Sequence, residues 1–406
     1  MEDLTKEVDI YYSVKPLCTI SKIVGLSFVR NQNRPRRLQS SDIIFTIILV
    51  ILLFVGLCVT LTGEIHSKIP HATLQVIIVW TISIIFSYST SITTLILNVV
   101  SHKMNFKLIL SNISHVDCKL YNESLKRNIY SRRRTSIILQ LIVLLLLFGT
   151  SSVCAFYFLS RITFLTLIHL IIREINVIIN MVTTLQYINL VLIIKQRFVR
   201  LNYMLSGSLT TDEDSEYNET RHSYNIIMTN TGYKIENNAG YNSYRLREFR
   251  IIYSELYDIL CLVNDKYGIS ILFHIISMLS NFIPTFYTAI FTLRDAMTNH
   301  GGTAHYVQAA TVLYWCALHI FLFVWMTMCC HLTATEANKC VTQVQKLLLC
   351  HNLGYGILME LDRFSSQLQS IRVEFNISGL FTLNISFLGA SVSATFTYIL
   401  ILIQLS

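Results

Sequence analysis

Residues 43–62 read IIFTIILVILLFVGLCVTLT, an unbroken run without a charge or a proline. A bilayer's hydrocarbon core is about 30 Å thick and takes about 20 apolar residues of helix to cross. In that medium the backbone finds no water, so only helices and closed barrels satisfy its polar groups. Barrel strands alternate apolar and polar residues, and this run does not alternate. It is expected to be a transmembrane helix. Six more stretches have the same character: 72–99, 136–159, 162–194, 269–293, 306–331 and 380–404. The expected fold class is therefore an all-α membrane protein with seven transmembrane helices.

Composition points the same way. Hydrophobic residues make up 53% of the 406 and charged residues 14%, with a mean hydropathy of +0.52. A soluble domain carries roughly 25% charged residues. Only 4 Pro and 14 Gly are present, so regular elements must be long. Residues 1–40 lack the apolar core of a signal peptide, and the first span is expected to act as its own insertion signal.

The net charge of +8 reads as a topology signal, and no nucleic-acid partner is expected. Of the 32 Lys and Arg, seven lie in 6–37, eight in 103–134, nine in 195–266 and four in 339–372. All four segments fall on one side of a seven-span chain. The other side holds only Lys68, Arg161 and Arg294, and Arg173 lies within the fourth span. Basic residues mark cytoplasmic loops, so the N-terminus is expected in the cytosol and the C-terminus outside. The Asn-x-Ser/Thr sequons at Asn112, Asn122, Asn218, Asn376 and Asn384 all avoid the outer loops.

The resulting organisation is a cytosolic tail at 1–42, spans one to four within 43–194, and a cytosolic loop at 195–268. Spans five and six lie within 269–331, cytosolic helices at 332–379, and the last span at 380–406. Residues 206–244 are rich in Asn, Ser, Thr and acids and read as a flexible linker. From Arg245 the pattern changes. Leu246, Phe249, Ile252, Tyr253, Leu256, Ile259, Leu260 and Val263 recur at helical spacing, as do Val344, Leu347, Leu361, Phe364 and Leu368 further on. A cytosolic helix with an apolar stripe needs a partner, so a helical bundle beneath the membrane is expected. The outer loops are too short to build a ligand-binding domain, and any ligand must enter among the helices.

Catalysis finds no support. There is no phosphate-cradling Gly loop, nucleophile elbow or metal-spaced His/Glu helix, so no enzyme, metal site or cofactor is expected. The ten Cys contain no CxxC pair. Cys329-Cys330 read as small packing residues, with palmitoylation as the alternative.

The chain's end carries a specific mark. Thr397-Tyr398, the apolar run 399–403, and Gln404-Leu405 resemble the Thr-Tyr, five apolar, Gln-Phe signature of insect gustatory receptors. Asn264, Tyr267 and Gly268 are similar to that family's Asn-x-x-Phe/Tyr-Gly lead-in to span five. Glu336, Phe364, Gln367 and residues 375–380 also sit where the family has similar residues. Leu405 departs from the usual Phe and loses its ring. The resemblance implies a homo- or heterotetrameric, ligand-gated, non-selective channel for cations such as Na, K and Ca. It also implies a plasma-membrane site in gustatory neurons, a seventh span lining the pore, and cytosolic helices forming the tetramer anchor. A small-molecule tastant would enter the outer half of each subunit.

The last span suits a pore wall on its own terms. Small and hydroxylated residues from Gly389 to Thr397 permit close approach and wetting, and an apolar ring beyond them stops ions by dewetting. The expected gate is Gln404 with Ile401 or Leu400, flanked by Leu405, with Thr397 on the same helical face. Candidate ligand contacts are Trp80, Tyr157, His169, Arg173, Asn176, Tyr287, Tyr314, Trp315 and His319, aromatic walls with a few polar groups. Arg173-Glu174 is read equally as a ligand contact or an interface anchor. The sugar-sensing branch usually has an acid after the motif Tyr, where this chain has Ile399. A bitter or other plant compound is therefore expected, with a fructose-like sugar as the alternative. An odorant-receptor-type channel or a metabotropic receptor ranks lower, the latter opposed by the inverted topology. The topology has a direct test: an epitope placed after Ser406 should bind antibody on intact cells, and labelling only after permeabilisation would refute it.

Overall fold

The computed structural model describes residues 10–26, 36–68, 74–100, 106–158, 164–207, 239–298, 303–349 and 353–404. Within these, side chains are described for all but 36–42, 63–68, 74–76, 100, 148, 151–158, 164–166, 169, 239–242, 291–292, 295–296, 298, 303–305, 308, 402 and 403. Seven long helices carry the seven expected spans: α2 (Arg36–Lys68), α3 (Leu74–Val100), α5 (Glu123–Phe158), α6 (Phe164–Gly207), α7 (Ala239–Thr298), α8 (Thr303–Leu348) and α10 (Ile385–Gln404). Three shorter helices, α1 (Ile10–Ile23), α4 (Phe106–Leu120) and α9 (Tyr355–Ser370), and a hairpin of β1 (Asn376–Ile377) and β2 (Phe381–Thr382) complete the described elements. By length and composition, five described stretches suffice to cross a membrane: 43–62, 77–99, 170–207, 243–290 and 309–348. Residues 385–401 form a shorter apolar helix.

The helices are longer than a membrane is thick. At 1.5 Å per residue the 60-residue α7 spans about 90 Å, and α6 and α8 about 65–70 Å each. Against a core of about 30 Å, much of each helix stands clear of hydrocarbon. No breaker separates the stripe that begins at Leu246 from the span that follows, so one helix carries both. The six apolar residues Phe249, Ile252, Tyr253, Leu256, Ile259 and Val263 are all buried there. Phe198 of α6, Tyr253 of α7 and Phe364 of α9 stack edge to face, with centroids 5.7 and 6.0 Å apart. Arg250 reaches Glu360 of α9 at 3.5 Å.

In the membrane region α6 is the central post. In its most apolar stretch 83% of residues are buried, against 28–39% for the candidate spans of α2, α3, α7 and α8. It packs on α2, α3, α7 and α8. Cys330 is fully buried on α8, its Sγ 3.4 Å from the Tyr187 hydroxyl of α6, which is packing, and Cys329 is buried beside it.

Three features differ from the sequence expectation. Residues 1–42 are more than a tail: α1 lies along α5 and buries Ile10, Val14, Leu17, Cys18 and Ser21. The loop after span two contains α4, which packs on α6 and α7. The last span was expected from 380, but the helix starts at Ile385, because residues 376–382 form the hairpin. Asn384 caps α10, its Oδ1 accepting from the Phe387 N–H at 2.8 Å.

A buried ion pair fastens α4 to α6. Arg197 Nε and Nη2 donate to Asp117 Oδ1 and Oδ2 at 2.9 and 2.6 Å, with side chains only 2% and 0% exposed. The Tyr130 hydroxyl donates to Oδ2 at 2.6 Å, tying in α5. Burial pushes the Tyr121 phenol up to about 12. Burial, and then the nearby Arg197 charge, bring Arg133 down to about 10. Removing one partner of a buried pair strands the other, which costs about 3–5 kcal/mol, whereas an apolar pair of similar volume is near neutral. Asp117→Ala should therefore lower the unfolding midpoint in detergent sharply, and Asp117→Leu with Arg197→Met should recover most of it. Equal losses in the two proteins would refute this account.

Candidate functional site

α10 is held to its own subunit by one narrow stripe. Ser391, Thr395 and Ile399, spaced four apart, are buried, and the Thr395 hydroxyl turns back to the Ser391 carbonyl at 2.7 Å. The other faces are open: Val392 is 59% exposed and Phe396 and Tyr398 each 60%. Thr397, Leu400, Ile401 and Gln404 are all exposed. Their spacing of three, four and seven places them on one helical face, opposite Ile399. Leu405 lies outside the described residues.

The platform beneath α10 explains the Asn264–Gly268 motif. Asn264 Nδ2 donates to the Glu374 carbonyl at 3.1 Å. Tyr267 is buried, its ring 5.9 Å from Tyr187, which meets Phe375 edge-on at 6.5 Å. A Cβ on Gly268 would come within 3.3 Å of Ser378 Oγ and 3.4 Å of its backbone nitrogen. The hairpin turns through Ser378 and Gly379, at φ 51 and 75°, left-handed values that glycine adopts freely. Leu383 N–H donates to the Phe375 carbonyl at 2.9 Å. The motif thus docks the hairpin from which α10 springs. Beside it Lys266 lines a small polar nook with Asn98 and Gln186, and burial lowers its ammonium to about 8.

A polar seam joins α3, α6 and α7. Ser91 Oγ lies 2.6 Å from Asn176 Oδ1 and 3.0 Å from Asn180 Oδ1. Asn176 Nδ2 donates to Ser87 Oγ at 3.0 Å, and Asn180 Nδ2 to the Ser87 carbonyl at 3.2 Å. Ser83 donates to Asn281 of α7, and Thr184 Oγ1 sits 2.7 Å from His274 Nε2. Of the candidate ligand residues with described side chains, Asn176 belongs to this seam. Arg173 is paired with Glu174 at 3.1 Å, a half-exposed guanidinium whose carboxylate partner keeps one buried oxygen without a hydrogen-bond partner. Trp80 is half-buried on α3 and Tyr287 is buried on α7.

The α8 residues point elsewhere. The Tyr314 hydroxyl donates to the Leu147 carbonyl of α5 at 2.9 Å. Its ring meets Trp315 at 6.2 Å, and Trp315 meets His319 at 6.0 Å. His319 Nδ1 donates to the Trp315 carbonyl at 2.7 Å, and its side chain faces α7 and α10. Seven of the nine candidates have described side chains, and they stand on four helices, α3, α6, α7 and α8. The side chains of Tyr157 and His169 lie outside the described residues. Sequence reasoning missed Ser83, Ser87, Ser91, Asn180, Asn281 and His274. The signal was there in α6, where Asn176, Asn180 and Thr184 repeat every fourth residue through an apolar span.

The geometry has relatives. Residues 14–406 match the family described as 7tm Chemosensory receptor. The Drosophila melanogaster protein "Gustatory receptor for sugar taste 43a" is 28% identical over 144 residues, covering 35% of this chain and 32% of that protein. "Putative gustatory receptor 2a" from the same fly is 26% identical over 177 residues, covering 39% and 41%. The matched segments thus span well under half of these relatives. The solved olfactory receptor OR5 of Machilis hrabei shares the fold, with a TM-score of 0.67 at 12% identity over 97% of this chain and 98% of that one. Its eugenol complex gives 0.65 at 11% over the same shares.

The tight approach at Gly268 yields a measurement. Forcing extra methyls into a packed contact costs about 1–3 kcal/mol, so Gly268→Val should lower the unfolding midpoint. Gly149→Val, where an added Cβ meets nothing within 4 Å, should leave it nearly unchanged. Equal behaviour of the two would remove the hairpin-docking role.

Proposed function

The chain belongs to the 7tm chemosensory receptor family, and on that premise we propose that it is a gustatory receptor subunit of a tetrameric, ligand-gated, non-selective cation channel. One observation carries the reading. α10 buries a single stripe in its own subunit, and its exposed faces carry the small and hydroxylated Gly389, Ala390, Ser393, Ala394 and Thr397, the residue types that let membrane helices approach closely. Four copies around an axis would cover the flanks of α10 and turn Thr397, Leu400, Ile401 and Gln404 inward. Gly389, whose added Cβ would meet nothing within its own chain, then serves close approach between copies. The distribution of basic residues supports an N-terminus in the cytosol of a plasma-membrane receptor. The projecting bundle around Tyr253 then lies in the cytosol as the tetramer anchor, within the organisation set out from the sequence.

In this reading a tastant binds among the outer halves of the helices and shifts an equilibrium between closed and open gates. It does so only through different affinity for the two states. The ligand we favour is a bitter or other plant compound. A sugar demands many hydrogen bonds from its site, and the polar groups of the α3/α6/α7 seam already bond one another. A fructose-like sugar is the second reading, favoured by the partial similarity to the sugar-taste relative.

Gln404→Ala and Ile401→Ala test the gate in patch clamp. Each should raise the resting leak, by about tenfold in the open-to-closed ratio for every 1.4 kcal/mol lost from the closed state. Leak, block and ion selectivity all unchanged in both would overturn the assignment. Current through purified receptor in G-protein-free bilayers separates a channel from a metabotropic receptor, and screening that preparation with plant compounds and sugars separates the ligand classes.

A further inference from the structure

An apolar groove of about 260 Å³, open on one side, lies between α7, α8 and α10 and is bordered on α10 by the exposed Val392 and Phe396. Phe282 and Phe286 from α7, Phe323 and Val324 from α8, and Thr395 and Ile399 from α10 wall it. Its few polar side chains are turned away: the Thr395 hydroxyl bonds the Ser391 carbonyl and His319 Nδ1 the Trp315 carbonyl. An apolar cavity of about 150 Å³ stays dry and takes up benzene. By that measure this groove holds an apolar molecule of about ten carbons.

We propose that this groove is a binding site for a compact, non-polar cyclic molecule, separate from the polar seam of α3 and α6, and that its occupant biases the gate. The shape selects the class. The Phe282 and Phe286 rings are stacked 5.8 Å apart at 22°, presenting flat faces that favour ring over chain, since aromatic partners gain from offset or edge contact. The location gives the effect. Thr395 and Ile399 belong to the buried stripe of α10, and Ile399 adjoins Leu400 of the proposed gate face. An occupant therefore meets the gate helix directly, with no intervening relay, and stabilises whichever α10 position leaves the groove open. The effect on current rests on the channel reading, whereas the binding does not.

Naphthalene is the probe, with purified full-length receptor in nanodiscs and planar bilayers. It should raise the unfolding midpoint of the wild type and shift its resting open probability. Val324→Trp and Leu279→Trp each fill the groove from outside α10, and two variants guard against one failing to fold. Either should raise the concentration of naphthalene needed for half the effect by about tenfold or more. Stabilisation that persists equally in both variants marks partition into lipid and overturns the site. Absence of any shift in the wild type, as when a neighbouring copy fills the space through Val392 and Phe396, overturns it as well. Variant-sensitive stabilisation with an unaltered current refutes the coupling to the gate. Variant-sensitive stabilisation in a protein that passes no current under any condition upholds the binding site and refutes the channel reading instead.

Discussion

Hydrocarbon offers a helix no reason to prefer another helix over a lipid tail, because both are apolar. Every arrangement in this fold answers to that constraint. Where the chain stands clear of the bilayer, the hydrophobic effect operates, and there the large aromatic core of Phe198, Tyr253 and Phe364 is gathered. Within the membrane region, register is set instead by hydrogen bonds. Ser83, Ser87 and Ser91 on α3 meet Asn176 and Asn180 on α6 and Asn281 on α7. Such contacts average only about 0.6 kcal/mol each in membranes, yet several in one line define a single alignment of three helices. The continuous backbones of α6, α7 and α8 join the two regimes, so the bundle assembled in water dictates where the spans stand.

α10 is the exception. No long extension of its own reaches the anchor. It begins at Asn384, just after a hairpin that is clasped by Asn264, Tyr267 and Gly268 of α7. Its N-terminal end is therefore tied firmly to the longest helix, where Phe387 also meets Phe323 of α8 and Phe381, while beyond Leu388 its buried side chains are the small or branched Ser391, Thr395 and Ile399. A helix fixed at one end and lightly held along its length moves at its free end, which carries Gln404.

The spans were legible because apolar runs of about 20 residues have few other readings. The stripe from Leu246 to Val263 was equally plain, since its period is helical and its burial nearly complete. Boundaries were not legible where the period continues through a change of solvent, as between Val263 and Ile269, with no proline to mark a stop. The hairpin was hidden because Leu380, Phe381 and Leu383 extend the apolar pattern of the last span backward by one turn. α1 was hidden because Lys15 and Lys22 mask the stripe Ile10, Val14, Leu17 and Ser21. That Thr397, Leu400, Ile401 and Gln404 share one face of α10 was legible, but the seam was not. A serine or asparagine in a span gives no hint of its partner until the helices are placed.

The same logic bears on how a ligand reaches the gate. The polar groups of α3 and α6 spend their hydrogen bonds on each other, so a ligand there competes with contacts that hold three helices in line. α7 shares Asn281 with the seam and Gly268 with the hairpin. The long α7 touches the seam, the hairpin and the aromatic bundle of Phe198, Tyr253 and Phe364 at once. A bistable gate needs only that α7 have two seats against α3.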